Sequence, residues 1–93
     1  DWLNKALSSD KAAENSRGIA SDLSAIASIY QQQGDHEKAL DHYVRAFTVF
    51  RYLGMIEESK RTLKQMISEA ETLGKEDETE QYRAILKSLE ARG

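Results

Sequence analysis

Between residues 17 and 91 the apolar positions recur every three or four residues, the period of an amphipathic helix. Ile19, Leu23, Ile26, Ala27 and Tyr30 form one stripe, and Ala39, Leu40, Tyr43, Ala46, Phe47, Phe50 and Leu53 a second. Leu63, Met66, Ile67, Ala70 and Leu73 form a third, and Tyr82, Ile85, Leu86 and Leu89 a fourth. Gly34, Gly54 and Gly74 fall 20 residues apart. Glycine just past a helix suits the left-handed cap position, so each is a helix stop. Asp35 follows the first stop and is a good N-cap for the next helix. The pattern predicts an all-α chain with helices over 1–13, 17–33, 36–53, 56–73 and 76–91.

The helices repeat. Sliding the chain by 40 residues places Leu23 on Leu63, Ile26 on Met66, Ala27 on Ile67, Ser28 on Ser68 and Gly34 on Gly74. The same shift places Asp1 on Asp41, Leu3 on Tyr43, Ala6 on Ala46 and Leu7 on Phe47. The opening segment therefore reads as the middle of a second-type helix, the remnant of a preceding repeat. Asp1 stands where a full protein would carry Met, which gives the expectation of a piece cut from a longer protein. After Gly74 the best shift falls to 39, with Tyr43 on Tyr82, Phe47 on Leu86 and Phe50 on Leu89, as though one residue were lost from that turn.

Within residues 20–53 the order Leu23, Ile26-Ala27, Tyr30, then Gly34, then Ala39, Tyr43 and Ala46 resembles a tetratricopeptide repeat. The family's repeat has about 34 residues and a proline after its second helix. Here Arg51 stands near the expected proline, and Val49, Phe50 and Leu53 carry the apolar stripe onward. The second helix is therefore longer, as a 40-residue period requires, which is similar to the longer-repeat branch seen in kinesin light chains. Residues 55–91 resemble a degenerate second repeat, with Thr79 where the family has Ala. The resemblance implies a right-handed α-α superhelix, a TPR-like solenoid of antiparallel helix hairpins. It implies one domain over 1–93: a remnant helix at 1–13, a well-preserved repeat at 17–53 and a degenerate one at 56–91. Ala27, Ala39 and Ala46 are then small because helix axes approach closely, with Tyr30 and Tyr43 filling the space between hairpins.

The resemblance also implies a function, protein–protein interaction, with the first helix of each pair lining a concave groove. The groove positions are Ser21, Ser24, Ser28 and Gln31 in one repeat and Arg61, Lys64, Ser68 and Glu71 in the next. Serines and glutamine beside two cations suit a polar or mildly acidic peptide segment. The same residues also suit the plain polar face that any amphipathic helix carries. Chaperone-binding members of the family hold a C-terminal carboxylate with Lys and Asn, whereas the matching sites here are Ser24 and Ser28. Serine supplies no cationic grip, so that ligand class is not expected.

Composition narrows the remaining choices. The 93 residues carry 13 basic and 16 acidic side chains, a net charge of −3. No basic stripe is available to neutralise phosphates, so no nucleic-acid partner is expected. Residues 55–93 hold 9 of the acids beside 7 bases, a mixed solvated surface. Without cysteine there is no disulfide or thiolate metal site. His36 and His42 lie six apart on one helix and face different ways, unlike metal ligands at i, i+4. Gly-rich phosphate loops and nucleophile elbows are absent, so no catalytic residue, metal or cofactor is expected, and no membrane span. Trp2 is expected to pack on a preceding repeat or a neighbour. Its exposure with Leu3 and Leu7 at a repeat end would favour homo-oligomers. Two further readings compete with partner binding: a structural spacer or self-association segment of a longer repeat protein, and a regulatory ligand-sensing domain.

Overall fold

The computed structural model describes residues 9–92. They form four helices: α1 (Ser9–Gln32), α2 (His36–Tyr52), α3 (Ile56–Leu73) and α4 (Glu76–Arg92). Each packs on the next in chain order, α1 on α2, α2 on α3 and α3 on α4. The described residues are thus all-helical, and the consecutive packing is that of a helical repeat solenoid.

The stops predicted from glycine are in place. Gly34, Gly54 and Gly74 all have positive φ. At the end of α3, Gly74 sits at φ 75° and ψ 21°, and its N–H caps the carbonyls of Ala70 and Glu71. A left-handed residue there lets the chain reverse while those orphan carbonyls stay bonded. Asp35 caps α2, its side chain accepting from the Lys38 N–H at 3.3 Å. Glu37 lies in the first turn of α2 and Arg51 in the last, each matching the charge of its end of the helix dipole. The α3–α4 connection spans two residues against three for the other two connections, yet α4 begins 40 residues after α2.

One boundary differs from the sequence expectation. The predicted break near residues 14–16 is absent, and α1 runs unbroken from Ser9 to Gln32. Nothing there can stop a helix: residues 14–16 are Glu, Asn and Ser, and the only weak point, Gly18, costs roughly 1 kcal/mol in a helix interior. The first eight positions of the predicted 1–13 helix, with Trp2, Leu3 and Leu7, lie outside the described residues.

The main core gathers Ala27, Ala39, Leu40, Tyr43, Phe47, Leu63, Met66, Ala70 and Leu89. Burying side chains the size of Leu63 and Met66 contributes roughly 1.5–3 kcal/mol each. A smaller cluster of Ala20, Ala46 and Phe50 closes the other end of the first hairpin. Ala20, Ala27, Ala39 and Ala46 have no exposed surface, so α1 and α2 meet through small residues. This close approach rotates α1 away from the stripe read in the sequence. Ile26, expected in the core, is 40% exposed, and Ile19 is 55% exposed. Tyr43 is buried in the main cluster, while Tyr30 sits at the edge of the first hairpin, its ring 5.1 Å from that of His42.

Candidate functional site

A groove of about 500 Å³ opens between α1 and α3, with α2 as its floor. Ser21, Ser24, Ser28 and Gln31 form the α1 wall. Tyr43 and Phe50 lie at the base, and Glu58, Arg61, Thr62 and Gln65 form the α3 wall. The spacing explains the α1 wall: positions 21, 24, 28 and 31 share one face of a helix whose neighbouring face is buried on α2.

One end of the groove is tied shut. The Tyr43 hydroxyl donates to Gln31 Oε1 at 3.2 Å, and Gln31 Nε2 donates to Gln65 Oε1 at 3.3 Å. Behind this bridge a second polar link joins the hairpins. His36 Nδ1 lies 3.1 and 3.2 Å from the two carboxylate oxygens of Glu69, which is 1% exposed. Lys75 reaches Glu37 at 3.5 Å further along the same seam. Burial raises the Tyr43 phenol above its ordinary value, the Glu69 carboxylate raises it further, and the Ser28 hydroxyl opposes both. Tyr43 is therefore a neutral donor at physiological pH.

The rest of the groove is open, and although the Thr62 hydroxyl donates to the Glu58 carbonyl at 2.8 Å, other polar groups there are free to meet a ligand. Ser24 Oγ is buried with no hydrogen-bond partner. Arg61 is exposed and Glu58 half-buried, and neither joins an ion pair among the described residues. The chemistry on offer is hydrogen bonding from small hydroxyls and amides, with one cation and one anion on the α3 wall. Nothing in it resembles a nucleophile with its base. Among the described residues no cluster of His, Cys, Asp or Glu could hold a metal ion, and no helix is long and apolar enough to cross a membrane.

Five of the eight residues singled out from the sequence therefore meet: Ser21, Ser24, Ser28, Gln31 and Arg61. Lys64 and Ser68 are exposed and do not line the groove. Glu71 turns toward α4 and pairs with Arg83. Sequence reasoning missed Glu58, Thr62, Gln65, Tyr43 and Phe50. The reason is geometric. Repeat-equivalent residues point in equivalent directions, so 64, 68 and 71 face onward along the array, and only Arg61 stands at the border with the face that lines the groove. The face of α3 that looks back at α1 is set about one helical step earlier, at 58, 61, 62 and 65.

Among curated proteins the chain is similar to Tetratricopeptide repeat protein 29 of Trypanosoma brucei brucei, with 31% identity over 77 residues. The match takes in 83% of this chain and 16% of that protein, so the chain spans a small part of its relative's length. No family model matches the chain. No solved structure matches it. The four consecutively packed helices and this similarity together fit the tetratricopeptide family.

Proposed function

We propose that the chain is a protein-interaction module whose α1–α3 groove holds a peptide segment of a partner protein. A single observation carries this reading. The groove is a concavity walled by a row of small hydroxyl side chains, and its Arg61 and Glu58 are left without ion-pair partners among the described residues. Convergent unpaired polar groups in a concave site are what a ligand would satisfy. The similarity to a tetratricopeptide repeat protein supports the same reading. The 40-residue distance from the start of α2 to the start of α4 supports a place in the longer-repeat branch, similar to kinesin light chain-type repeats.

A photo-crosslinking residue at position 24, inside the groove, tests the proposal in cells of origin against one at position 84. Ala84 lies on the exposed face of α4. Capture of a second protein from position 24 and not from position 84 is expected. Equal capture from both, or none from position 24, would sink it.

A second reading rests on a different surface. Ile19, Ile26 and Ile29 are 55%, 40% and 53% exposed along the outer side of α1. They favour self-association or stacking on a further hairpin, the structural role in a longer repeat protein.

A further inference from the structure

We infer that the groove selects an extended peptide in which one acidic and one basic residue are separated by a single residue. The inference rests on the groove being a peptide site, and it names the chemistry of the occupant.

The shape of the cleft bears on the occupant's conformation. A helix with its side chains is roughly 10–12 Å across, so about one turn of it would fill a cleft of this volume. The groove is moreover closed at one end by the Tyr43–Gln31–Gln65 bridge. An extended strand is thinner and lies along such a cleft without needing to pass that bridge. Its exposed backbone amides and carbonyls would meet the Ser24 hydroxyl, which is buried and unpartnered. The spare N–H of the Gln65 amide is a second partner, since Nε2 has two donors and neither takes part in the Gln31 bond.

Charge then sets the side chains. Glu58 and Arg61 are three residues apart on α3, both line the groove, and neither is paired among the described residues. Residues at this helical separation stand with Cβ atoms about 5–6 Å apart. On an extended peptide, side chains of one face recur every second residue, roughly 6.6 Å apart. The two spacings match closely enough for one peptide face to place an acid on Arg61 and a base on Glu58 together. Neighbouring residues of the peptide point to opposite faces and cannot do so. The α1 wall is uncharged, so it adds no competing preference.

Selection from a random peptide display library on the 93-residue chain tests this, alongside the variants Glu58→Gln and Arg61→Gln. Arg61 is exposed and Glu58 half-buried, and each glutamine keeps a polar side chain of similar length, so circular dichroism and melting of the variants should stay close to the parent. The parent should enrich peptides with an acid and a base two positions apart. Glu58→Gln should lose enrichment of the base alone, and Arg61→Gln that of the acid alone. A parent-selected peptide should bind either variant about tenfold more weakly, a change of about 1.4 kcal/mol. Charges spaced three or four apart, or identical selections by parent and variants, would overturn the extended-peptide inference and leave the groove standing. No enrichment at all, or enriched peptides that shift NMR signals elsewhere than Ser24, Arg61 and Gln65, would overturn the groove reading as well.

Discussion

Ala39 and Ala46 have no exposed surface where α2 lies between its neighbours, so their size is a packing constraint rather than a composition accident. Leucine at either site should overpack the interface and cost roughly 1–3 kcal/mol, read as a lower urea midpoint at unchanged m-value. An unchanged midpoint would mean the helices can move apart freely. The phenols supply a second residue-scale test. Burial, with help from Glu69 at Tyr43 and from Glu78 at Tyr82, raises both above the ordinary tyrosine value. The folded chain then holds these protons more tightly than the unfolded chain does. Their contribution is intact below about pH 10 and is lost as pH rises through the folded values. Urea melts between pH 8 and 11 should show stability falling above about pH 10, and Tyr82→Phe should reduce that fall. The small residues at 27, 39 and 46 were legible in the sequence because their spacing belongs to the repeat. The Glu69 carboxylate facing His36 was not, because the two lie 33 positions apart and only the docking of α3 on α2 joins them.

At the scale of the element, helix identity followed from period and stops, and the one misjudged boundary has a direct test. Gly18 lies inside α1, and an added Cβ there would meet nothing within 4 Å. If α1 is continuous, Gly18→Ala should stabilise the chain by roughly 0.5–1 kcal/mol through better helix propensity. If the chain instead broke near residues 14–16, Gly18 would sit in a fraying first turn and the gain would vanish. Gly74→Ala runs the opposite way. Space is also open around Gly74, but its φ of 75° is one that side chains rarely adopt. The substitution should cost roughly 1–2 kcal/mol, measurable by thermal or urea unfolding. The two glycines are alike in composition and in empty surroundings. Only the backbone conformation separates them, and the sequence signals it through position alone: Gly74 ends an apolar stripe, whereas Gly18 precedes one.

The whole molecule is lopsided in a way the helical period could not reveal. On α4 the exposed positions are Glu76, Asp77, Glu80, Gln81, Arg83, Ala84, Lys87, Ser88, Glu90 and Ala91, a face that water covers well. On α1 the apolar residues extend past the face buried on α2, through Ile26 to Ile19 and Ile29. The sequence stripe merged both faces of α1 into one, since a helix apolar over half its circumference keeps the same period as one apolar over a quarter. Repeat units stack by covering such faces, and a terminal unit stays soluble by presenting a polar one. By this logic α1 carries a face built to be covered, whereas the exposed face of α4 suits water. The three isoleucines offer far less than the roughly 800 Å² per partner of a stable interface, so self-association through them alone should be weak. Sedimentation velocity should show the mean mass rising with concentration, with reversal on dilution. Ile26→Lys places a charge at the middle of the patch and should hold the chain monomeric at all concentrations, while leaving the melt near that of the parent because the site is already 40% exposed. A parent that stays monomeric throughout would show that this face needs a covalently linked or unlike partner, whereas association that survives Ile26→Lys would place the contact elsewhere.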